Sequence, residues 1–394
     1  MADPLGWIRG ALEDLESAGL RRRLRHRATP AGRTLDGLVN LSSNDYLDLA
    51  GDPRLAIAAA EAARDWGAGA GASRLVTGGT DLHRELEREL AGWKGCEDAV
   101  VFSSGYLANL GTIAALVGRG DTVVSDALNH ASIIDACRLS RAEVRVFAHG
   151  DAESLDRALS DAPGRRLVVT DGVFSMDGDA APLPLLAPVA EAHGAMLMVD
   201  DAHGCGVIGP DGRGTAAAQG AGAHVDIQLG TLSKAFGSAG GYVAGSTELC
   251  EWLRNSARAF VFDTAPPPPV VSAALAGVRI AREEPQRRER AVALAQRLAG
   301  ALRLPSPAAA IVPVVLGSPG DALAAQAALE EAGLLVTAIR PPTVPEGTSR
   351  LRFALTAAHT DADVDLAATV LTTRGVLLLT TPGGQNQHTP GFRP

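Results

Sequence analysis

The chain alternates short apolar runs with longer stretches in which apolar residues recur at helical spacing. The short runs that predict strands lie at 97–105, where the strand turns into a loop, and at 121–126, 166–173, 195–202 and 226–231. Helical segments such as 81–93 and 181–194 separate them. This alternation is typical of an α/β fold with a mostly parallel, doubly wound sheet covered by helices on both faces.

The pattern changes at the prolines of 266–269, which interrupt the alternation. Beyond them we expect a long amphipathic helix at 283–302, a strand at 309–317, another helix and an arginine-bearing strand at 348–356. These elements predict a smaller α+β domain. The expected organisation is an N-terminal helix and arm at 1–44, a large α/β domain at 45–276, the small domain at 277–375 and a disordered tail at 376–394, which lacks periodicity.

Composition narrows the class of protein. With 394 residues, 46% of them apolar, the chain can bury the cores of two packed domains. A net charge of −9 argues against a nucleic-acid or anionic-membrane surface. No apolar run approaches the roughly 18 to 20 residues that cross a bilayer, and the N-terminus has no apolar signal core. The four cysteines are far apart, so we expect free thiols, no metal site and a cytoplasmic location.

Lysine is scarce in this chain. Only Lys94 and Lys234 occur among 36 basic residues, and the others are arginines. An amine can lose its proton and condense with an aldehyde, whereas a guanidinium stays protonated. A lysine retained in such a background is therefore a candidate for chemistry. Lys94, in AGWKGCEDA, is interpreted as a leftover surface residue, and Lys234 as the chemical one.

Polar residues follow four of the predicted strands at their carboxyl ends. They are Ser103 to Gly105, Asp171 with Ser175, Asp200 with His203, and Thr231 to Lys234. In open α/β sheets, ligands bind outside the carboxyl ends of the strands. The sequence therefore predicts that these segments converge on one site.

The residue types at these strand ends suit pyridoxal 5'-phosphate (PLP). Lys234 can hold its aldehyde as a Schiff base, and Asp200, which ends an apolar strand, can keep the pyridinium nitrogen protonated. His203 can reach the same ligand. Thr231 lies beside the lysine in a glycine-rich turn, which suits a phosphate. The alternatives are a helix N-cap for Asp200 and an ordinary Ser/Thr-rich turn with an exposed lysine.

Three further candidates carry weaker signals. Ser104, Gly105 and Tyr106 open a helix whose free N–H groups can bind the phosphate. His130 can stack on a pyridine ring, although a structural histidine is the commoner outcome. Arg352 can clamp a substrate carboxylate through two hydrogen bonds, or be a surface cation like most arginines.

Motifs spread over nearly the whole chain resemble one enzyme family. They are SSNDYLDL (42–49), FSSGYLANLG (102–111), DALNHASIIDACRLS (126–140), VFSMDGDAAPL (173–183), LMVDDAHGCGVIG (197–209), GTLSKAFGSAGGYV (230–243) and RPPTVPEGTSRLRFALTAAH (340–359). In this order they closely resemble the α-oxoamine synthases, PLP enzymes of fold type I. The resemblance implies a fold-type I transferase with a seven-stranded-type sheet.

The resemblance also implies roles at matching positions. Lys234 would bind the cofactor covalently, Asp200 would pair with the ring nitrogen, and His203 would bond the ring hydroxyl oxygen. His130 would stack on the ring and be a candidate proton donor, with Ser175 near the ring oxygen. Thr231, with Ser104, Gly105 and Tyr106, would hold the phosphate. The substrate residues would be Arg21, Asn44, Thr343 and Arg352. Family members are homodimers with active sites at the interface, so Ala72, Ser73 and Thr264 would serve the partner's site.

The segment RPPTVPEGTSRLR is most similar to the branch that joins L-alanine to a pimeloyl thioester, carried by CoA or by a carrier protein, in biotin synthesis. Two alternatives stay open: a sister synthase that uses glycine or serine with another acyl thioester, and a non-catalytic subunit, which would lack the Schiff-base lysine. One residue departs from the family pattern. Asp48 stands where glycine usually follows NDYL, which puts the local turn in question.

Overall fold

The computed structural model describes residues 3–373, so the predicted tail at 376–394 lies outside the described residues. The chain begins with helix α1 (Trp7–Ser17), as expected. The arginine-rich segment at 21–27 has no helical or strand structure. It leads to a short antiparallel pair, β1 (Thr34–Leu35) and β2 (Leu38–Asn40).

The central part of the chain alternates helices and strands. Its elements are α2 (Pro53–Trp66), α3 (Asp81–Lys94), β3 (Asp98–Phe102), α4 (Gly105–Leu116), β4 (Thr122–Asp126), α5 (Ala131–Ser140), β5 (Glu143–Phe147), α6 (Ala152–Leu159), β6 (Arg166–Asp171), α7 (Leu183–Ala192), β7 (Met196–Asp200), α8 (Thr215–Ala218), β8 (Ile227–Thr231), β9 (Gly241–Gly245), α9 (Thr247–Ser256), α10 (Arg258–Val261) and α11 (Pro268–Glu283).

These strands form one seven-stranded sheet in the order β3-β9-β8-β7-β6-β4-β5. The strands from β8 to β5 are parallel, and β9 runs antiparallel to both of its neighbours. The predicted α/β fold with a mostly parallel sheet is therefore confirmed. Strands β5 and β9 were not predicted. The first is a largely exposed edge strand with charged residues, and the second is flanked by glycines, so neither has the uninterrupted apolar run of the other strands.

The C-terminal part contains α12 (Pro285–Ala301), β10 (Ile311–Gly317), α13 (Pro319–Glu331), β11 (Leu334–Leu335), β12 (Thr337–Ile339), β13 (Ser349–Ala354) and α14 (Asp361–Thr373). Strands β10, β13 and β12 form an antiparallel sheet, and β11 joins β2 of the N-terminal segment. The predicted helix at 283–302 corresponds to α12. The helix α11 before it was not expected, because the proline run that signals a break also supplies the first residues of a new helix. The domain boundary at 276/277 stays a prediction, and it falls inside α11.

The prediction that Lys94 lies on the surface was wrong. Its side chain is only 1% exposed, at the end of α3 against the loop that follows β7. All four cysteines are free thiols, as expected, and three of them are buried. Within residues 3–373, no helix combines the length and the apolar composition needed to cross a membrane, and no His, Cys, Asp and Glu cluster could hold a metal ion.

Asp48 occupies a left-handed turn, with φ at +56°. Its N–H donates to the carbonyl of Asp45, and its own carbonyl accepts from Arg287. Glycine adopts this backbone conformation without strain, whereas other residues pay for the contact of Cβ with the backbone. The turn that glycine would favour is therefore kept by an aspartate.

Candidate active site

The polar residues that follow β3, β6, β7 and β8 converge at the carboxyl edge of the sheet, as predicted for a doubly wound fold. At their centre, Nζ of Lys234 lies 2.8 Å from Nε2 of His203. Lys234 stands three residues beyond the end of β8, and His203 three residues beyond the end of β7. Because β7 and β8 are adjacent and parallel, their following loops bring the amine and the imidazole together.

Asp200 is the last residue of β7 and is 5% exposed. One carboxylate oxygen accepts from the amide of Asn109 at 2.7 Å, and the other accepts from the backbone N–H of Ala202 at 3.0 Å. These bonds hold the carboxylate in one orientation at the edge of the core. No helix starts directly after β7, because the next helical residues are 210–212, so Asp200 is not the helix N-cap that the sequence offered as the alternative.

The start of α4 lies against Thr231, at the end of β8. Ser104 caps this helix by accepting from the N–H of Leu107 at 3.1 Å, and the N–H groups of Gly105 and Tyr106, in the first turn, have no intrahelical partner. A Cβ added to Gly105 would lie 3.4 Å from the side chain of Thr231, and one added to Gly241 would lie 2.6 Å from Gly105 itself. The first distance is an ordinary van der Waals contact, whereas the second shows that only glycine at 241 allows β9 to approach the start of α4 so closely. The hydroxyl of Tyr106 instead reaches outward to Asp135, at 2.5 Å.

His130 stands at the start of α5, exposed at the same edge of the sheet. Its Nδ1 lies 2.7 Å from the hydroxyl of Ser132, which also accepts from the amide of Asn109 at 2.9 Å. Its backbone N–H donates to the carboxylate of Asp171 at 3.1 Å. Asn109 therefore links the surroundings of His130 to Asp200, and Asp171 fixes the backbone that carries the imidazole.

The strand β13 contributes Arg352, which is 6% exposed and so is not a surface cation. Its guanidinium donates to the carbonyl of Ser175, to the side-chain oxygen of Asn44 at 3.0 Å and to the hydroxyl of Tyr46 at 3.3 Å. That hydroxyl lies 2.6 Å from Nδ1 of His203. A continuous chain of hydrogen bonds thus joins the arginine to the Lys234 amine.

The other two predicted substrate residues lie apart from this network. The guanidinium of Arg21 pairs with Glu16 at 3.3 Å. Thr343 is exposed, and its hydroxyl accepts from Arg22, the neighbour of Arg21, at 3.0 Å. Arg340 is half-buried and donates to the carbonyl of Gly19, and burial, followed by the charge of Arg22, lowers the pKa of Arg340. Within residues 3–373, neither Arg22 nor Arg340 forms an ion pair with a carboxylate.

The electrostatics of the site make the Lys234 amine easier to deprotonate than a free lysine and keep the His203 imidazole neutral. Burial lowers the pKa of Lys234 to about 8, although Asp200 and Asp171 act in the opposite direction. Burial, together with the charges of Lys234 and Arg352, holds the pKa of His203 well below its usual range. Burial and the adjacent Asp200 raise the pKa of the Asp171 carboxyl well above its ordinary value. Desolvation is the first cause in all three cases.

Sequence reasoning gave no role to Tyr46, Asn109 or Asp171, although each bonds directly to a predicted site residue. Tyr46 belongs to the quoted motif SSNDYLDL, and Asp171 was noted at its strand end. Asn109 had a usable signal, because it is a polar residue within the apolar helix GYLANLGTIAAL. Of the residues predicted to serve a partner subunit, Ser73 and Thr264 are paired in an antiparallel bridge, and Ala72 accepts from the backbone of Ala265.

Comparison with known proteins gives consistent matches over most of the chain. The family described as aminotransferase class I and II matches residues 36–371. An 8-amino-7-oxononanoate synthase from Anaeromyxobacter dehalogenans is 54% identical over 371 residues, which cover 92% of this chain and 93% of that protein. Among solved structures, a serine palmitoyltransferase from S. paucimobilis with bound PLP and myriocin superposes with a TM-score of 0.89 at 34% identity, covering 95% of this chain and 98% of the other.

An 8-amino-7-oxononanoate synthase from Francisella tularensis is also similar, with a TM-score of 0.75 and 27% identity over 86% of this chain and 98% of that one. The fold and these matches define a PLP-dependent enzyme of fold type I. The chain belongs to the α-oxoamine synthases within the aminotransferase class I and II family. The predicted family, fold type and cofactor are therefore confirmed.

Proposed function

We propose that this chain is an 8-amino-7-oxononanoate synthase, which condenses L-alanine with a pimeloyl thioester and releases CO2 and the free thiol. The observation that carries the proposal is the hydrogen-bonded chain from Lys234 through His203 and Tyr46 to Arg352. It puts an amine that can take a proton at one end and a buried cation that can bind an amino-acid carboxylate at the other. Relatives that are 48% to 54% identical and carry this enzyme's name support the choice of branch.

The residues of the site fit PLP. Lys234 offers an amine for the aldehyde, the fixed carboxylate of Asp200 offers a partner for the ring nitrogen, and the glycine-lined start of α4 offers N–H groups for the phosphate. When bound, PLP supplies an electron sink that stabilises negative charge at Cα of the amino acid. The retained Lys234 also argues against the non-catalytic subunit considered above.

Lys234 is placed to move the proton of the substrate Cα. A general base works best when its pKa lies near the working pH, and burial lowers the pKa of this amine to about 8. His203 touches the amine at 2.8 Å and remains neutral, because burial keeps its pKa low. A neutral imidazole can hold the amine in position without repelling its charged form.

Arg352 is placed to hold the carboxylate of alanine. Its guanidinium already donates to three oxygen atoms, those of Ser175, Asn44 and Tyr46. A carboxylate can replace the two side-chain acceptors with a stronger, charge-assisted pair of bonds. The buried arginine therefore selects an anionic amino-acid end and fixes the Cα near Lys234.

The far end of the acyl chain has a cationic candidate site in Arg22 and Arg340 beside Thr343. Strand β12 pairs with β13 so that Thr337 lies opposite Arg352. Arg340 lies three residues after Thr337, so the backbone at Arg340 is on the order of 10 Å from the backbone at Thr337 if the chain is extended. That distance is comparable with the length of an extended pimeloyl chain, and a half-buried guanidinium without a carboxylate partner favours an anion. This arrangement supports a dicarboxylic acyl group.

The decisive test is a thiol-release assay that crosses alanine, glycine and serine with pimeloyl, acetyl, succinyl and palmitoyl thioesters, each carried by CoA, and with pimeloyl carrier protein. The proposal expects alanine with a pimeloyl thioester to give the highest kcat/KM. Glycine with acetyl-CoA as the best pair would instead indicate a sister synthase such as a 2-amino-3-ketobutyrate CoA ligase. Alanine and glycine differ by one methyl group, worth about 1 to 3 kcal/mol in a pocket, so the amino-acid preference alone is a weak discriminator.

The acyl site has its own test. Arg340→Met and Arg22→Met should lower kcat/KM for the pimeloyl thioester by about tenfold or more, because each removes a charged hydrogen-bond donor. The same variants should leave an uncharged acyl thioester of equal length unaffected. Arg23→Met is the matched control, since Arg23 pairs with exposed Glu16. Arg21→Met belongs in the series because the family resemblance assigns substrate contact to that residue. Equal losses with both thioesters would refute the assignment.

The homodimer and the cytoplasmic location stay predictions, and the family relationship supports both. An interface active site is consistent with an exposed apolar side chain at Phe262, near the bridge between Ser73 and Thr264. Sedimentation of the purified chain tests the dimer. Mixing a Lys234→Ala chain with a Thr264→Arg chain tests whether one active site draws on both subunits.

A further inference from the structure

Lys94, the second of the two lysines, is buried on the far side of the loop that carries His203. Its side chain is 1% exposed. Nζ donates to the carbonyl of Arg213 and lies 3.9 Å from both the carboxylate of Asp201 and the sulfur of Cys205. A buried ammonium is costly unless it has a counter-charge, and Asp201 is the carboxylate within reach.

The carboxylate of Asp201 is enclosed by backbone. Both of its oxygens accept from Thr215, one from the hydroxyl at 2.6 Å and the other from the N–H at 2.7 Å. A Cβ on Gly214, Gly204 or Gly172 would lie 1.7, 2.2 or 2.5 Å from these oxygens. The three glycines therefore allow the backbone to close around the carboxylate, and among residues 3–373 Lys94 is the cation that reaches it.

The position of Asp201 connects this ion pair to the cofactor site. Asp201 directly follows Asp200, and the N–H of the next residue, Ala202, holds one oxygen of Asp200. The carbonyl of Asp201 accepts from Gly204 and Cys205, so it anchors the turn from which His203 projects toward Lys234. The orientation of the Asp200 carboxylate and of the His203 ring thus depends on where Asp201 is held.

We propose that Lys94 is a positioning residue for the PLP site: its ammonium neutralises Asp201 and thereby fixes the turn that presents Asp200 and His203 to the cofactor. The proposal rests on the assignment of Asp200 and His203 to PLP binding, but not on the choice of amino acid or thioester. Lys94 itself touches neither the cofactor nor a substrate. It acts only through the Asp201 turn.

The test compares Lys94→Met, a nearly isosteric neutral side chain, with the wild type. PLP affinity is measured by titration of the purified protein after removal of PLP, without substrates, together with the thermal midpoint before PLP is added. The proposal expects PLP affinity to fall by about tenfold. It also expects the midpoint of the pH-dependent change in the visible absorbance of bound PLP to move, because Asp200 and His203 no longer face the cofactor as before. A lower thermal midpoint with unchanged affinity and absorbance would show that Lys94 only stabilises the fold, and would overturn the proposal.

A double-mutant cycle separates charge from packing. Asp201→Asn removes the charge and keeps an acceptor for the Thr215 hydroxyl, but its NH2 group cannot accept from the Thr215 N–H. The Asp201→Asn single variant measures that loss, and Lys94→Met/Asp201→Asn contains no unpaired ion. This double variant should bind PLP more tightly than Lys94→Met alone and should fold even where the single variant does not. If the fold-loss in PLP affinity of the double variant equals the product of the losses of the two single variants, Lys94 and Asp201 act independently and the proposed coupling is contradicted.

Cys205→Ala is the matched control. Cys205 touches the same ammonium and the hydroxyl of Tyr242, but the substitution changes no charge. Its PLP affinity should remain within about twofold of the wild type. A loss as large as that of Lys94→Met would assign the effect to packing of the loop and refute the role of the ion pair. Because no arm uses a substrate, a wrong acyl or amino-acid assignment cannot imitate these results.

Discussion

The hydroxyl of Tyr46 lies 2.6 Å from Nδ1 of His203, and both side chains are buried. Tyr46 comes from the segment before α2, whereas His203 follows β7, so the contact joins the start of the predicted large domain to the loop after β7. The same hydroxyl accepts from Arg352 at 3.3 Å. The Lys234 amine lies 2.8 Å from Nε2, the other ring nitrogen of His203. Tyr46 therefore couples the proposed carboxylate clamp to the proposed base.

Tyr46→Phe should lower PLP affinity, and kcat/KM by about tenfold to a hundredfold, because it leaves the buried Nδ1 of His203 without its partner. KM for the amino acid should change less, since the substrate carboxylate takes the place of the Tyr46 hydroxyl on Arg352 in the proposed complex. Steady-state kinetics and PLP titration of the same preparation measure these effects. Kinetics equal to the wild type would exclude Tyr46 from the network's function.

Lys234→Ala should abolish covalent attachment of PLP and reduce turnover by several orders of magnitude, because no other lysine is within the site. Borohydride reduction followed by peptide mass analysis tests the attachment, and thiol release tests turnover. Lys94→Arg is the comparison for loss of a lysine elsewhere, and it should retain PLP attachment at Lys234. PLP trapped on another residue of the Lys234→Ala protein would contradict the assignment.

The parts of the site that were predicted are those whose signal lies within a few residues. Asp200 and Lys234 each follow an apolar strand, and parallel strands bring their ends together. Tyr46 was missed because its partner is 157 residues away and nothing local marks the pairing. Lysine scarcity pointed to Lys234 but left Lys94 as a surface residue, because its burial depends on a loop more than a hundred residues later, which periodicity in α3 does not reveal.

Asp48→Gly should raise the free energy of unfolding by about 0.5 to 1 kcal/mol. The left-handed backbone at φ +56° strains a residue with a Cβ by about 1 to 2 kcal/mol, and glycine removes this strain. Glycine also loses more conformational entropy on folding, which offsets part of the stabilisation. Asp48→Val, whose branched Cβ fits this conformation badly, should be less stable than the wild type. Denaturant unfolding at fixed PLP concentration measures both. A lower free energy of unfolding for Asp48→Gly would show that contacts of the Asp48 carboxylate stabilise the protein by more than the left-handed backbone strains it.

His149 should make stability depend on pH in the alkaline range. Its Nδ1 lies 3.0 Å from the fully buried carboxylate of Asp126, and its Nε2 lies 2.8 Å from Asp179. Burial acts to lower the pKa of His149, but the hydrogen bonds and charges of these two aspartates outweigh it and raise the pKa to about 10. Both contacts place the charged imidazole between the loop that leads to His130 and the loop that carries Ser175.

Because the folded-state pKa lies above the unfolded value of 6.5, the contribution is fully present below pH 6.5 and is lost as the pH rises toward about 10. The wild type should therefore lose on the order of 2 kcal/mol of stability over this interval relative to His149→Gln. This is less than the full linkage energy of the pKa shift, because Asp179 and part of the imidazole are exposed to solvent, which weakens the interaction. Unfolding midpoints in denaturant at several pH values measure the difference. Asp179→Asn, which removes only the half-exposed partner, should show an intermediate slope. Parallel pH profiles for the wild type and His149→Gln would mean that the imidazole is neutral in the folded protein.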